Sequence, residues 1–498
     1  MSKLCGIAGI FGSPNAMLLK EMLKVQKHRG PDCFGTYKTN NLALGHNRLT
    51  IRGPSRGFQP IKLNDKALSY NGEIYNIEEL EKLVNNEYEC DSELLFDLLD
   101  KFGIEIIKKI KGEFAFVFFE KNKIYLARDS LGVKPLYYYK YDDTFYFASE
   151  IKALYLCMQE NPVLENIDLE NYIKPYGNYT PIRQIKQVLP GSALEIKIKN
   201  RKLNEKIIIY NHFSNDKKII SPKKAKKHIK ETLKNAVSKM LIADTKVGLL
   251  LSGGIDSTIL ASLLNDLQIS IPAFCVGSNQ HNEFEDAEIV AREFGIKLKT
   301  IEIKENFIIK NSQKVIQKME TFDAGQFSTA IAMEKLFSNV NTRVVLSGEG
   351  ADELFGGYNE AFAMLNNKIQ NQNRFELEML TATRNMYQRQ LARLDKLSLS
   401  HSIEARLPFL HKDFVNLALS IDSKLKYRQG REKAILFDSF KEKFPKQLLN
   451  KHKERFGVSS GVYQTIKDHH KDLQKFVENE FKKVYCEQAV VLQRPQNS

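Results

Sequence analysis

Residues 250–257 read Leu250-Leu251-Ser252-Gly253-Gly254-Ile255-Asp256-Ser257, and they pass from an apolar run through a glycine turn into a helical pattern. The apolar run begins at Val247, and its uniform hydrophobicity predicts a strand that is buried on both faces. The turn brings backbone N–H groups and two hydroxyls to the start of a helix predicted over 257–267, which favours a phosphate. Asp256 in the same turn indicates a Mg²⁺ ion between its carboxylate and that phosphate. The alternative is a structural serine-glycine turn, but such a turn would not need an acid in an anion site.

Strands and helices alternate on the C-terminal side of this stretch. Strands are predicted over 271–276 and 298–303, with a helix over 285–294 between them. Such alternation is typical of a parallel sheet covered by helices. From about residue 360 the pattern is almost wholly helical. We therefore predict an α/β domain over 222–490 with a helical C-terminal part.

A second apolar run, at 344–346, is followed by Ser347-Gly348-Glu349-Gly350-Ala351-Asp352-Glu353. Ligands of open α/β sheets bind at the carboxyl ends of strands, so these acids should face the phosphate turn. Paired acids at that position suggest metal ligands or a general base. For Glu353 alone, an acid stabilised by a helix N-terminus is the alternative.

The N-terminal half has a different pattern. Residues 5–205 read as short strands separated by turns and interrupted by helices predicted over 16–27 and 92–102. This mixture predicts a layered α+β domain, followed by a linker at 206–221. Cys5 begins the first apolar segment. A lone cysteine there is usually a small buried hydrophobe, and the alternative is a nucleophile whose base is its own α-amino group.

Four polar motifs follow Cys5 in this half: Arg29-Gly30-Pro31-Asp32, Gly45-His46-Asn47-Arg48-Leu49, Asn71-Gly72-Glu73-Ile74-Tyr75-Asn76 and Cys90-Asp91-Ser92-Glu93. Each of them alone would pass as turn chemistry. Asn71-Gly72 is a common hairpin turn, and Asp91 would serve as the cap of the next helix. Their co-occurrence and order behind Cys5 are what favour a functional site.

Composition excludes several classes of protein. The 498 residues are too many for one core, so two or three domains are expected. The longest apolar runs are strand-length, which predicts no membrane partner. The net charge is +14, but its dense stretch at 223–227 is typical of a solvated helix start, and we expect no nucleic-acid partner. Six scattered cysteines fit neither a zinc site nor a disulfide framework, which favours the reducing cytoplasm.

Taken in order, these motifs resemble the glutamine-hydrolysing asparagine synthetase family over nearly the whole chain. Further matching motifs are 128–138, 147–150 and Ser402-Ile403-Glu404-Ala405-Arg406-Leu407-Pro408-Phe409-Leu410. The resemblance implies an α+β N-terminal nucleophile hydrolase sandwich (αββα), a class II glutamine amidotransferase domain, over 5–205. An α/β parallel-sheet ATP-pyrophosphatase domain over 222–490 would follow it.

The resemblance also implies a role for each matching residue of the first domain. Cys5 would attack the side-chain amide of glutamine, with Asn71 and the Gly72 N–H as the oxyanion hole. The other implied glutamine-binding residues are Arg48 for the α-carboxylate, Glu73 and Asp91 for the α-ammonium, and Ile51. Ammonia would then pass through the protein to the second domain.

In the second domain the resemblance implies binding of ATP and Mg²⁺. The implied metal ligands are Asp256 and Asp352, and Glu349 would be the base for ammonia. Lys433 would neutralise charge near the α-phosphate, although the family often has arginine where Phe437 stands. The implied ATP-binding residues are Leu250, Ser252, Gly253, Gly254, Asp256, Ser257, Val276, Ser347 and Gly348. A carboxylate would be activated as an acyl-adenylate and then amidated by ammonia, with release of AMP and pyrophosphate.

Two features of the sequence leave the activity open. Met1-Ser2-Lys3-Leu4 precede Cys5, and we expect them to be removed so that the α-amine is free. If they stay, the enzyme would use free ammonia only. The acceptor is predicted to be aspartate, approached by segment 320–329, and another carboxylate, of a sugar, a peptide or a metabolite, is the alternative. A homodimer is a family expectation only.

Overall fold

The structure, a computed structural model, describes most of the chain. The described residues are 3–51, 57–165, 177–199, 202–211, 213, 218–278, 282–357, 372–428, 430–449, 462–469 and 472–487. Of the four residues before Cys5, Met1 and Ser2 lie outside these ranges. Within them, no helix combines the length and apolar character that a membrane crossing needs.

Two antiparallel sheets form the N-terminal half. Their strands are β1 Lys3–Phe11, β2 Cys33–Lys38, β3 Leu42–Thr50, β4 Ile61–Leu63, β5 Lys66–Ile74, β6 Gly112–Glu120, β7 Lys123–Arg128, β8 Tyr137–Tyr141, β9 Thr144–Ala148, β10 Ile185–Gln187, β11 Ser192–Lys199 and β12 Lys202–Ile209. One sheet has the order β2-β3-β1-β9-β8-β10, and the other has the order β4-β5-β6-β7-β11-β12. A backbone bridge from Lys3 to Gly72 joins the two sheets.

Helices cover the outer faces of both sheets. They are α1 Ala16–Val25, α2 Ile77–Val84, α3 Asp91–Phe102 and α4 Ile151–Tyr155. Between the sheets, Ile7 and Leu44 pack in one core with Val117 and Leu126. Because strand side chains alternate between faces, other residues of the second sheet pack outward against α2 and α3. The predicted αββα sandwich is confirmed.

Two local predictions in this half need correction. The residue that caps α3 is Cys90, and Asp91 is the first residue of the helix, so the capping alternative for Asp91 is wrong. Strand β12 continues to Ile209, four residues into the predicted linker at 206–221, because its ladder with β11 runs on to Ser192.

A parallel sheet organises the second half, as predicted. Its strands are β13 Val247–Leu250, β14 Ala273–Gly277, β15 Leu298–Glu302, β16 Val344–Leu346 and β17 Glu404–Arg406, in the order β15-β14-β13-β16-β17. β17 is an addition to the sequence-based expectation, which had this region as helical. The strand is only three residues long and contains two charged residues, so it lacks the apolar signal of a buried strand.

The helices of this half surround the sheet. They are α5 Pro222–Met240, α6 Ile255–Asp266, α7 Phe284–Glu293, α8 Glu305–Met319, α9 Ala324–Phe337, α10 Ala351–Phe355, α11 Gln372–Asn385, α12 Gln390–Leu399, α13 Lys412–Ser420, α14 Ser423–Lys426, α15 Ala434–Phe440, α16 Val462–His469 and α17 Leu473–Lys482. The β13–α6 turn and the β16–α10 turn therefore lie side by side, since β13 and β16 are neighbours.

Candidate functional site

Cys5 lies in β1, fully buried, opposite Arg48 of β3. Its backbone N–H donates to Oδ1 of Asn71 in β5 at 2.9 Å. The Nδ2 group of Asn71 is buried and has no hydrogen-bond partner among the described residues. A buried donor of this kind is satisfied when negative charge develops beside it. The geometry at Asn71 therefore fits an oxyanion hole next to the thiol.

Gly72 follows Asn71 where the two sheets meet. A Cβ atom at this position would lie 2.3 Å from the carbonyl oxygen of Glu113 and 2.7 Å from Cα of Phe114. No side chain fits there, so β5 approaches β6 this closely only because residue 72 is glycine. Asn71-Gly72 lies inside β5, and it is therefore not the hairpin turn that the dipeptide alone suggests.

Arg48 and Asp91 lie on different elements of the same half. The guanidinium of Arg48 lies 4.8 Å from the ring centre of Phe58. Asp91, at the start of α3, is buried, and its Oδ2 accepts from the Tyr70 hydroxyl at 2.9 Å and from the Ile74 N–H at 3.3 Å. These contacts fix one oxygen of Asp91 and orient its carboxylate.

The other two residues predicted to bind glutamine contact the second half of the chain. The carbonyl of Ile51 accepts from the N–H of Asp244 at 3.0 Å. Oε2 of Glu73 accepts from Nη2 of Arg406 at 3.0 Å, and both side chains are buried. Two of the residues predicted to bind glutamine therefore lie at the interface between the two halves.

The turn after β13 has the geometry that its sequence predicts. Gly253 has φ +78°, which favours glycine, and α6 begins at Ile255 with Gly254 as its cap. The hydroxyls of Ser252 and Ser257 lie 3.3 Å apart, and the Ser252 N–H donates to Oγ of Ser257 at 3.2 Å. Two hydroxyls thus converge at the start of a helix, where a phosphate is favoured.

The remaining residues predicted to bind ATP surround this turn. Leu250 ends β13, Val276 lies in the adjacent β14, and Ser347 follows β16. A Cβ atom on Gly348 would lie 2.8 Å from Cβ of Asp256, so the two loops are in close contact only because this residue is glycine. The sheet therefore brings these separated motifs to one edge.

Lys433 lies between the two predicted metal ligands. Its Nζ is 2.8 and 2.7 Å from the carboxylate oxygens of Asp256 and 2.5 Å from Oδ1 of Asp352. The lysine is buried and caps α15 with φ +51°, a conformation that is uncommon for a residue other than glycine. The strained backbone at Lys433 is maintained by the surrounding contacts, which keep its side chain next to the two carboxylates.

The two carboxylates fit a Mg²⁺ site by their chemistry. Asp256 and Asp352 already converge on one cationic atom. Mg²⁺ usually takes one or two carboxylates and completes its shell with water and substrate phosphates. Among the described residues, no larger group of acids, histidines or cysteines gathers that would bind a metal by itself. A metal at this pair would thus depend on the nucleotide.

A cavity lies between the two halves, beside segment 320–329. Arg393 of α12 lines it, and its Nη2 is 3.8 Å from Oε1 of Glu349. Nε of Arg393 is buried without a hydrogen-bond partner in the described part of the chain. A guanidinium with a free donor suits a carboxylate ligand. The cavity therefore brings a cationic group close to the predicted base.

Sequence reasoning missed Arg393 and Arg406. Arg406 lies inside the matching motif 402–410, but the sequence alone assigned it no role because it does not show which residues contact Arg406. Arg393 had no local signal, since a cation in a polar helix is usually solvated. Its position beside Glu349 appears only in the folded chain.

Comparison with known protein families gives two matches. The glutamine amidotransferase domain family matches residues 4–206. The asparagine synthase family matches residues 228–376 and 364–485.

Individual relatives align along nearly the whole chain. The nodule asparagine synthetase [glutamine-hydrolyzing] of Pisum sativum is 30% identical over 94% of this chain and 80% of the relative. The asparagine synthetase [glutamine-hydrolyzing] of Homo sapiens is 29% identical over 96% of this chain and 88% of the relative. Asparagine synthetase [glutamine-hydrolyzing] 1 of Arabidopsis thaliana is 29% identical over 94% of this chain and 80% of the relative.

Proposed function

This chain belongs to the glutamine-hydrolysing asparagine synthetase family of ligases, and we propose that it carries out the two half-reactions at the two sites described above. The N-terminal site would hydrolyse glutamine to glutamate and ammonia. The second site would use ATP to activate aspartate as an acyl-adenylate, releasing pyrophosphate. Ammonia would displace AMP and leave asparagine.

At the first site, the thiolate of Cys5 would attack the amide carbon of glutamine and form a thioester as ammonia leaves. The free α-amine of Cys5 would take the thiol proton and pass it to the leaving nitrogen. Water would then release glutamate. Asn71 Nδ2 and the Gly72 N–H would stabilise the oxyanion in both steps. Arg48, Ile51, Glu73 and Asp91 would hold the amino-acid end of glutamine.

Ammonia would reach the second site without leaving the protein. A second, small cavity lies between the halves and is lined by Val133, Leu391, Leu394, Leu399, Ala405 and Leu407, with Lys134, Asp395 and Ser398. Its largely apolar wall suits neutral ammonia better than ammonium, since a buried charge is costly.

At the second site, the Ser252 turn would hold the phosphates of ATP, and Leu250, Val276 and Gly348 would contact the adenosine. Mg²⁺, when bound by Asp256 and Asp352, would neutralise phosphate charge. The ammonium group of Lys433 would stabilise the negative charge that develops at the α-phosphate. Arg393 would bind a carboxylate of the acceptor, and Glu349 would accept a proton from attacking ammonia.

One observation carries the proposal. Glu73 of the glutamine pocket and Ser347 of the ATP loop both bond to Arg406, at 3.0 Å each, so the two predicted sites are parts of one packed unit. The test is incubation with ATP, Mg²⁺, aspartate and either glutamine or ammonium, followed by measurement of AMP, pyrophosphate and asparagine. We expect one AMP and one pyrophosphate per asparagine with either nitrogen source. If AMP forms only with a carboxylate other than aspartate, aspartate is excluded as the acceptor. If AMP forms with no carboxylate, the proposed reaction is refuted.

We also predict that glutamine use requires a chain that begins at Cys5. With Leu4 attached, the nitrogen of Cys5 is an amide that donates to Asn71, and it cannot act as a base. Lys3 then pairs with Gly72, the other predicted oxyanion donor. A general base contributes about 10²–10⁴-fold, so a chain that retains Leu4 should hydrolyse glutamine slower by at least ~100-fold.

This prediction is checked with two preparations, one cleaved directly before Cys5 and one in which Leu4 is retained, with intact masses recorded for both. Ammonia-dependent synthesis is the internal control and should be equal in the two. Rapid glutamine hydrolysis by a protein whose mass includes Leu4 would contradict the role of the α-amine.

A further inference from the structure

Arg406 ends strand β17 at the junction of the two halves. Its side chain is fully buried and donates to carbonyl oxygens of Met240 at 2.6 Å and Ile242 at 2.8 Å, to Glu404, and to Glu73. Burial is the largest single effect and opposes the charge, but the attractions of Glu404, Glu73 and Tyr75 together outweigh it and raise the pKa of Arg406 above its usual range. The guanidinium is therefore charged and held in place, because Nε, Nη1 and Nη2 all donate hydrogen bonds.

Arg406 gives the carboxylate of Glu73 a cationic partner inside the protein. Its carboxylate is 2% exposed, and a buried carboxylate needs a partner to remain ionised. The next residue of the motif, Leu407, donates its N–H to Oε1 of Glu113 at 3.3 Å, and Glu113 is the cross-strand neighbour of Glu73 in β6. The end of β17 therefore contacts adjacent acids of the glutaminase sheet.

The backbone of Arg406 makes a contact on the other side. Its carbonyl accepts the N–H of Ser347 at 3.0 Å, and Leu346 is its register partner in β16. Ser347 begins the loop that carries Gly348 and Glu349. One residue therefore touches the glutamine pocket by its side chain and the ATP loop by its backbone.

We propose that Arg406 is a positioning residue of the glutamine site that is supplied by the synthetase half of the chain. It acts through Glu73, which it holds ionised and aimed at the α-ammonium of glutamine. Because the same residue holds Ser347, occupation of the glutamine pocket also stiffens the β16–β17 edge beside the ATP site. The proposal rests on the proposed function.

The variant that tests this is Arg406→Lys, which keeps the charge but loses the planar fork that reaches several acceptors at once. We expect the KM for glutamine to rise about tenfold or more, which corresponds to ~1.4 kcal/mol of binding. Ammonia-dependent kcat should stay within about twofold of the wild-type value, since that reaction does not use Glu73. Arg343→Lys is the matched control. Arg343 also crosses between the halves, pairing with Asp32 at 2.8 Å, but it touches no predicted glutamine ligand.

Equal loss of the glutamine and ammonia activities would show a merely structural role for Arg406 and would overturn the proposal. So would an unchanged KM for glutamine. A wild-type enzyme that neither binds nor hydrolyses glutamine would instead refute the proposed function, which keeps the two failures distinct.

A second measurement does not depend on the folding of Arg406→Lys. Hydrogen exchange is recorded for a Cys5→Ala protein with and without glutamine, at a concentration that calorimetry shows to be saturating. Glutamine should slow exchange in segments 344–348 and 404–407. Unchanged exchange there with glutamine bound would overturn the link between the pocket and the β16–β17 edge.

Discussion

Replacing Cys5 by alanine is expected to abolish glutamine-dependent asparagine synthesis and to leave ammonia-dependent synthesis intact. Loss of a catalytic nucleophile costs about 10⁴-fold or more in rate. The substitution removes one sulfur from a buried position in β1, so the fold should survive with a small loss of stability. Ammonia-dependent synthesis should persist, because the Cys5 thiol contributes no group to the second site, whose predicted residues follow strands of the parallel sheet.

The measurement compares kcat for asparagine formation with saturating glutamine and with saturating ammonium. Cys157→Ala is the matched control. Cys157 is equally buried, burial raises the pKa of its thiol, and its Sγ is 3.5 Å from the carbonyl of Ala153. That thiol should be inert, and both activities should persist in the control. Loss of ammonia-dependent synthesis in a folded Cys5→Ala protein would contradict a reaction divided between two sites.

The parts of the molecule that could be predicted from sequence are those with a local cause. The apolar run before Ser252 and the glycine turn after it predict β13 and α6, because a buried strand and a helix start have their own composition. The αββα arrangement came from the family resemblance, since short strands alone predict only a layered α+β domain.

What could not be predicted depends on contacts between distant segments. Glu73 and Arg406 are 333 residues apart. The resemblance placed Lys433 near the phosphates, but its direct contact with Asp256, 177 residues away, was not predicted. Nothing in either local pattern indicates such a pair. Strand β17 was missed for a related reason, since its buried Arg406 is paired with Glu73 only after the two halves have packed.

Replacing Lys433 by methionine is expected to reduce asparagine formation from both nitrogen sources while glutamine hydrolysis continues. The change removes the ammonium that lies between Asp256 and Asp352 and that would meet the charge developing on the α-phosphate. Removal of one such electrostatic group typically costs about 10²–10³-fold in kcat. Pyrophosphate release with aspartate and ammonium measures the synthetase site, and glutamate release measures the first site.

Lys426→Met provides the matched control, because Lys426 is also a buried lysine of this helical region. Burial lowers the pKa of Lys426 to about 7, and its Nζ lies 5.7 Å from the ring centre of Phe355. Its removal should spare both activities. Equal loss of glutamate and pyrophosphate release in Lys433→Met would indicate a damaged fold, and full synthesis would exclude Lys433 from the reaction.

The conservative variant Lys433→Arg separates charge from shape. A Cβ atom on Gly357 would lie 2.4 Å from Cε of Lys433 and 1.8 Å from Oδ1 of Asp352, so there is no room beside the lysine for a wider group. A guanidinium would keep the charge but would have to displace either the Asp352 side chain or the backbone of Gly357. We therefore expect Lys433→Arg to fail to restore synthesis. Near-normal pyrophosphate release by this variant would show that any cation at this position suffices.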